Sequence, residues 1–437
     1  MLLEFKTENY KSFWEETLFS MIPASRQTGL DYSVFNMKVG SKQYKGLSSA
    51  VVYGPNAAGK TNLIGAMDTM RMIVLRGNIR NQDVKESPNA ASHLLELVPN
   101  CDADTKPTKF GIRFVHQDTL VDYSFSADFG RFMEKDYPRK IIREDLKINE
   151  KPIFEREEKH LRGIGASALK TVPVNVHVKD NHQVAVQLAE SGLNEEELFL
   201  CNGFKTIFSK ELVSLVLDWV ENHLLVVYHS DPTKALQQLA GQNEEMTYVE
   251  NIMSEAAREF GITSNGLEYK VNAGKPELVS VFQKGSVAPI PAEWFESYGT
   301  VRFMNEFSLI LRALMEGSTL VMDALDESIH PMALMNLIHI FHNDDLNKKH
   351  AQLIFNTHNP IFLNASLFRR DEIKFVERDR QIHRSHHYSL SDFRTSAGIR
   401  KGEDYLSNYF AHRYGAIEDV DFAPLVERLI AASDEDR

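Results

Sequence analysis

The sequence predicts an α/β fold that is organised around a parallel sheet. Three apolar runs carry this prediction, at 50–53, 318–323 and 351–356, with helical patterns between them. The first run leads into the loop Gly54–Thr61, the second ends in Asp323, and the third leads into His358. Strands that alternate with helices form parallel sheets, and ligands bind at the carboxyl ends of such strands. We therefore expect these three features at one edge of the sheet.

The loop from Gly54 to Thr61 reads G-x-x-x-x-G-K-T, and this pattern between a strand and a helix predicts a phosphate-binding loop. Its glycines let backbone N–H groups point at one anion, and the following helix adds partial positive charge. Lys60 is expected to reach the β- and γ-phosphates, and Thr61 to bind Mg²⁺ through its hydroxyl. The residues predicted to surround the nucleotide are Pro55, Asn56, Ala57, Ala58, Gly59, Lys60, Thr61 and Asn62.

Two strand ends complete the predicted nucleotide site. Asp323 follows a buried strand and is expected to hold Mg²⁺, directly or through water. Alone, such an aspartate would more often cap the next turn, but the phosphate loop earlier in the chain favours the metal role. His358, in Thr357-His358-Asn359-Pro360, is expected to contact the γ-phosphate.

Composition narrows the class of protein. The chain has 437 residues, enough for two or three domains, and a net charge of −12. This acidic balance argues against a surface coated for nucleic acid, although it allows a local basic groove. The sequence contains no apolar run long enough to cross a membrane, and its N-terminus alternates like a strand. Cys101 and Cys201 lie far apart, which predicts reduced thiols and a cytoplasmic location.

The pattern along the chain predicts three segments. Residues 1–150 would carry the phosphate loop and an antiparallel β subdomain, since apolar positions alternate at 108–128. Residues 151–285 would form an inserted, largely helical lobe. Residues 286–437 would supply the remaining strands and helices of the nucleotide-binding fold.

Taken together, these motifs resemble ATP-binding-cassette (ABC) ATPases of the SMC/RecF/OLD lineage. The chain is more narrowly similar to bacterial anti-phage ATPases of the RloA/AbiL kind, which are related to the ATPase of the PARIS system. The resemblance is strongest at Leu3–Phe13, Gly54–Asn62, Glu296–Pro331, Ala351–Pro360 and Tyr405–Ile417. It implies a P-loop NTPase of the ABC type, with ATP and Mg²⁺ bound between the two protomers of a head-to-tail homodimer.

The resemblance also implies roles for residues outside the phosphate loop. Lys11 lies in the segment that borders the nucleotide in such families. Ser297 and Gly299 match the signature loop, which reaches the γ-phosphate bound to a second subunit. Asp326 begins the interface segment 326–328, called the D-loop, and His358 matches the switch histidine. Gln117 is a candidate metal-binding glutamine, although a plain hairpin turn explains it equally well.

One position departs from the family pattern. The residue after Asp323 is expected to be the glutamate that activates the attacking water, but the chain has Ala324. An alanine methyl group cannot accept a proton, so hydrolysis should be strongly impaired while nucleotide binding persists. Either the alanine was introduced to trap the ATP-bound state, or it is native and Asp326, Glu327 or His358 supports slow hydrolysis. The otherwise intact motif favours the first interpretation.

The resemblance implies an ATPase that acts as sensor and scaffold in an abortive-infection system and controls a separate toxic effector, such as a nuclease. Too few residues follow His358 for a nuclease domain within the chain. Two other hypotheses remain. The chain could be a RecF-like DNA-repair ATPase with DNA as its partner, or a non-catalytic nucleotide-binding scaffold in which Ala324 is native.

Overall fold

A computed structural model describes residues 1–80, 95–229, 255–256, 258–259, 266–393 and 403–435. Within these ranges, short gaps lie at 26, 28, 103–105, 133, 135–136, 163, 166–168, 171, 176–177, 179–180, 273–274, 283–287, 328 and 419. Ser328 of the predicted D-loop therefore lies outside the described residues.

The strands and helices are numbered here in chain order. The strands are β1 (Leu2–Glu8), β2 (Thr17–Ser20), β3 (Val34–Val39), β4 (Lys42–Leu47), β5 (Ser49–Tyr53), β6 (Thr108–His116), β7 (Thr119–Asp128), β8 (Lys140–Ile148), β9 (Lys151–Glu157), β10 (His160–Arg162), β11 (Leu224–Val227), β12 (Gly266–Asn272), β13 (Lys275–Val281), β14 (Ile290–Pro291), β15 (Thr319–Met322), β16 (Gln352–Asn356), β17 (Ile373–Arg378) and β18 (Ser385–Ser389). The helices are α1 (Lys60–Arg76), α2 (His182–Ser191), α3 (Lys205–Ile207), α4 (Lys210–Asp218), α5 (Tyr298–Glu316), α6 (Pro331–Phe341), α7 (Tyr405–Phe410) and α8 (Ala423–Glu435).

The central sheet has the strand order β11-β15-β16-β5-β17-β18, and its strands are parallel except β18. β5, β15 and β16 are buried along their whole length, as expected for strands covered by helices on both faces. On β5, Ala50 and Val52 face one hydrophobic core with α1, while Val51 and Tyr53 face a second core with α5 and α6. The predicted α/β fold with a parallel sheet is confirmed.

A second sheet is antiparallel, with the strand order β10-β9-β8-β7-β6-β1-β2. One face packs aromatic and aliphatic side chains against α1 and the helices after residue 198, including Phe5, Phe110, Ile112 and Phe125. β1 leads straight into the loop Asn9–Phe13, and that loop returns beside the phosphate loop. This sheet therefore positions the N-terminal segment at the candidate site.

In the described part of residues 151–285, which the sequence predicts to be a largely helical lobe, several segments are strands. β9 and β10 continue the antiparallel sheet, and β11 pairs with β15 in the central sheet. Helices α2 to α4 of this region lie between His182 and Asp218, a π-helical turn follows at Trp219–His223, and residues 255–256 and 258–259 are also helical. A short apolar run such as Leu224–Val227 fits a helix or a strand by periodicity alone, and its pairing with β15 decides in favour of the strand.

The remaining strands form a β3–β4 hairpin and a small sheet in the order β12-β13-β14. Within the described part of the chain, no helix is both long enough and apolar enough to span a bilayer.

Candidate nucleotide site

The phosphate loop lies between β5 and α1, and its glycines are required by close contacts. A Cβ atom on Gly54 would lie 2.2 Å from the carbonyl oxygen of Val376. Gly59 has φ of 111°, and a Cβ there would lie 2.6 Å from Ser385 Oγ and 2.7 Å from Ser12 Oγ. Only glycine fits both the backbone conformation and the space at residue 59. Asn56 and Ala57 form the exposed tip of the loop, while Ala58 is buried and Pro55 is half-buried.

Lys60 is buried at the start of α1 and folds back over the loop. Its Nζ donates to the carbonyl oxygens of Gly54 at 2.7 Å and Pro55 at 3.0 Å. Burial lowers the pKa of Lys60 to about 8, although the carboxylates of Asp323 and Asp326 act in the opposite direction. The ammonium group therefore carries its charge at neutral pH, inside the loop that would hold a phosphate.

Thr61 and Asp323, the two predicted magnesium residues on either side of the site, are in direct contact. Thr61 Oγ1 donates to Asp323 Oδ1 at 3.0 Å, and Asn356 Nδ2 donates to the same oxygen at 2.6 Å. A hydroxyl and a carboxylate oxygen are suitable ligands for Mg²⁺, which prefers oxygen and keeps several waters. The residues present therefore fit a magnesium ion that also binds nucleotide phosphates.

Asn356 is a site residue that the sequence did not single out. It ends β16, donates to Asp323, and accepts a hydrogen bond from the N–H of Ala324 through Oδ1. Ala324 has φ of 55°, a left-handed conformation that is uncommon for a residue with a side chain. Asn356 thus holds both the Asp323 carboxylate and the backbone of the position where a catalytic glutamate was expected. The sequence signal that could have identified Asn356 is its position at the end of a predicted buried strand.

The segments that follow β15 and β16 are also in contact. Thr357 Oγ1 donates to Asp326 Oδ2 at 2.5 Å, so the predicted D-loop is tied to the end of β16. The neighbouring His358 is exposed. Partial desolvation of its ring, together with the charge of Lys60, nevertheless lowers the pKa of His358 below its usual value, despite three nearby carboxylates. His358 is therefore mainly neutral at neutral pH, and it is close enough to Lys60 for the two side chains to interact electrostatically.

The N-terminal loop packs against the phosphate loop, as expected. Asn62 Nδ2 donates to Ser12 Oγ at 2.8 Å. Lys11 forms an ion pair with Glu96, and its Nζ donates to the hydroxyl of Tyr228 at 2.8 Å. Lys11 is thus placed near α1 but held by Glu96 and Tyr228, two residues that sequence reasoning missed because they come from distant segments.

The predicted signature loop lies at the start of α5. Ser297 caps the helix by accepting from the N–H of Thr300 at 3.2 Å, and Gly299 lies in the first turn. Trp294 and Tyr298 on either side are 78% and 73% exposed. This helix start therefore presents polar and aromatic groups to solvent.

Arg302, one turn further along α5, connects the predicted signature loop to the segment that follows β15. Its guanidinium is buried, pairs with Glu306 at 2.8 Å and with Glu327, and donates to the carbonyl oxygen of Ala324. Burial opposes its charge, but the two glutamates outweigh burial and raise the pKa of Arg302. The first turns of α5 are therefore joined directly to Ala324 and Glu327.

Gln117 does not belong to this site. It follows His116 in the turn between β6 and β7, where His116 contacts His223, and His223 lies beside Ser318 at the start of β15. That is the amino end of the parallel strands, whereas the phosphate loop and Asp323 lie at their carboxyl ends. The hairpin-turn interpretation of Gln117 therefore replaces the metal-binding one.

Comparison with known families agrees with this geometry. Residues 49–364 match the family described as "AAA domain, putative AbiEii toxin, Type IV TA system". The chain belongs to this family. Its match covers the phosphate loop, Asp323 and His358.

Solved structures with a similar fold include two SMC head domains. One, from Thermotoga maritima, is 13% identical, with 89% of this chain and 98% of that chain covered and a TM-score of 0.35. The other, derived from Pyrococcus furiosus, has an extended coiled coil and is bound to the C-terminal domain of ScpA. It is 10% identical, with 89% and 96% covered and a TM-score of 0.37. Likenesses at this level carry no functional argument. No curated protein matches the sequence.

Proposed function

We propose that this chain binds ATP and Mg²⁺ and acts as a nucleotide-driven switch. The contact between Thr61 and Asp323 beside the buried Lys60 is the observation that carries the proposal. Lys60 and the loop from Pro55 to Asn62 would hold the phosphates, and Thr61 and Asp323 would hold the metal. Bound ATP would place its γ-phosphate at this site. Hydrolysis and release of that phosphate would then change the charge there.

The switch would be the closure of a head-to-tail homodimer. Ser297 and Gly299 lie at a helix start beside the exposed aromatic side chains of Trp294 and Tyr298. In the proposed dimer, this signature loop of one protomer contacts the nucleotide held by the other. Arg302 then links that contact to Ala324 and Glu327 in its own chain. ATP can drive closure because it makes contacts across the interface that exist only in the closed state.

The biological role that we propose is a cytoplasmic sensor and scaffold of a bacterial abortive-infection system. The chain's resemblance to anti-phage ATPases supports this role, as does its family, whose description includes a toxin–antitoxin system. The switch would control a separate toxic protein, such as a nuclease. DNA binding, as in a RecF-like repair ATPase, would instead show affinity that falls steeply with salt concentration.

Ala324 would slow the opening of the dimer. Its methyl group has no proton acceptor, and Asp326 is already hydrogen-bonded to Thr357. We therefore propose that the chain in this form binds ATP and stays assembled, while a glutamate at position 324 would restore turnover. If alanine is the native residue, the chain is a non-catalytic scaffold that the nucleotide holds closed.

Sedimentation of the full chain with and without ATP and Mg²⁺ tests the switch. We expect a dimer or a higher assembly only when both are present. Gly299→Arg should abolish assembly while leaving nucleotide binding to the single chain intact. Ser191→Arg, at an exposed residue at the end of α2, is the matched control and should assemble normally. Assembly that is independent of ATP, or equally strong in Gly299→Arg, would refute the head-to-tail dimer.

A further inference from the structure

A cluster of two histidines and one aspartate lies at the edge of the central sheet opposite the phosphate loop. His116 ends β6, Asp218 ends α4, and His223 ends the π-helical turn before β11. His116 Nε2 lies 2.8 Å from Asp218 Oδ2, and His223 Nε2 lies 3.9 Å from the same oxygen. One ligand atom from each residue falls within 4.8 Å of the others. The cluster brings together two segments that are about a hundred residues apart in sequence, one with His116 and one with Asp218 and His223.

Neighbouring side chains orient two of these groups toward a common centre. Asn222 Nδ2 donates to Asp218 Oδ1 at 2.9 Å, so Oδ2 is the oxygen that faces the two rings. Ser318 Oγ donates to the carbonyl oxygen of Asn222 at 3.0 Å and lies 3.5 Å from His223 Nδ1. Because the Ser318 hydroxyl proton is already used, Ser318 Oγ can accept from Nδ1–H, and the lone pair of His223 is then on Nε2.

This arrangement has the features of a metal site. Protein zinc ligands are imidazole nitrogens and carboxylate oxygens about 2.0–2.2 Å from the ion, which separates tetrahedral ligand atoms by about 3.3 Å. The observed separations of 2.8 and 3.9 Å bracket that value, so small side-chain rotations suffice. Metal-binding histidines commonly donate their other N–H to an oxygen that fixes the ring, as Ser318 can do here.

We propose that His116, Asp218 and His223 bind a zinc-class divalent transition-metal ion through two imidazole nitrogens and one carboxylate oxygen. Water would take the fourth position, since the three side chains are partly accessible to solvent. Imidazole ligands favour Zn²⁺ and its neighbours over Mg²⁺, so this site is chemically distinct from the nucleotide site.

The ion would join the antiparallel sheet to the central sheet. His116 belongs to the β6–β7 hairpin, His223 precedes β11, and Ser318 precedes β15. These elements meet far from the phosphate loop, so the ion would act as a structural clamp without taking part in the chemistry of ATP. Its binding should stabilise the fold by mass action and should not require nucleotide.

Cobalt(II) titration tests the proposal directly. The full chain, without a polyhistidine tag, is treated with a chelator and titrated with Co²⁺ in excess Mg²⁺. We expect one ion per chain and the intense visible absorption of four-coordinate cobalt, displaced by Zn²⁺. Asp218→Asn should weaken affinity about 100-fold, and Ser318→Ala, at the orienting hydroxyl, about tenfold. The double variant His383→Ala/His386→Ala removes two exposed histidines elsewhere and should bind like the parent chain.

A second measurement covers the case in which Asp218→Asn fails to fold. Zn²⁺ should raise the melting temperature of the parent chain, and a chelator should reverse the rise. The proposal is overturned if the parent chain binds no stoichiometric ion, shows only weak six-coordinate absorption, or gains no thermal stability. It is overturned equally if the His383/His386 control loses binding while Asp218→Asn retains it.

Discussion

The phosphate loop and the signature loop are two halves of one proposed site, and they differ sharply in how the chain supports them. The two ends of the phosphate loop are tightly packed, since Gly54 lies against Val376, Gly59 lies against Ser12 and Ser385, and Lys60 is buried. The signature loop is an exposed helix start next to Trp294 and Tyr298.

This difference separates binding from assembly. The phosphate-loop half has its fixed backbone, its cation and the oxygens that we propose to bind Mg²⁺ within one chain, so it should bind nucleotide alone. The signature half lacks such support and would gain its contacts from a second copy. Arg302 connects the two halves, and substitutions in each half should therefore have different consequences.

Arg302→Met removes the contacts between α5 and residues 324 and 327. We expect it to have the largest effect of the variants on stability and assembly. It leaves the buried Glu306 without its partner, so the free energy of unfolding should fall by about 3 kcal/mol. The double variant Arg302→Met/Glu306→Leu should recover much of that stability in denaturant titrations, yet still assemble poorly with ATP. Arg312→Met, which removes the other Arg–Glu pair of α5, is the matched control. Normal ATP-dependent assembly of the double variant would show that assembly does not depend on the contacts of Arg302 with Ala324 and Glu327.

Lys60→Ala tests the phosphate-loop half. Loss of a charged hydrogen-bond donor to phosphate should cost about 2–3 kcal/mol, which weakens ATP binding roughly 100-fold. Equilibrium binding of a fluorescent ATP analogue measures the effect. Lys374→Met, at a lysine on the neighbouring β17, should leave affinity close to normal. Equal losses in both variants would mean that the Lys60 effect is not specific to the phosphate loop.

The lowered pKa of Lys60 predicts a smaller, pH-dependent effect. The unfolded chain holds the Lys60 proton up to the ordinary pKa, so folding stability gains from this group as pH rises above about 8. Phosphate binding has the opposite dependence, because it needs the proton. ATP affinity should be steady below pH 8 and fall about tenfold by pH 9. In Lys60→Arg, whose guanidinium stays charged, that slope should vanish; a slope that persists there would come from another group.

Gln117→Ala should have no measurable effect on the nucleotide site. Gln117 lies in the β6–β7 turn at the far edge of the sheet, and surface substitutions usually change free energies by under about 0.5 kcal/mol. Magnesium-dependent ATP binding should stay within about twofold of the parent, whereas Thr61→Ala should weaken it. A loss in Gln117→Ala would restore the metal-binding interpretation of this residue.

The sequence was informative where chemistry is local. The spacing of Gly54 to Thr61 and the apolar strands before Asp323 and His358 predicted the parallel sheet, and the structure brings these residues to one edge. It was uninformative where contacts join distant segments, as with Asn356 on Asp323, Arg302 on Ala324 and Glu96 on Lys11. Leu224–Val227 lies in the segment that was predicted to be largely helical but forms a strand, because its pairing with β15 is a long-range contact.

The most direct test of the account is ATP turnover by this chain, by Ala324→Glu and by Ala324→Gln. A positioned general base contributes about 10²–10⁴-fold to rate. We predict ATP-dependent assembly without turnover for this chain and for Ala324→Gln, and turnover at least 100-fold faster for Ala324→Glu. Equal turnover by all three proteins would mean that residue 324 is not at the catalytic position, and would contradict the proposed mechanism of the switch.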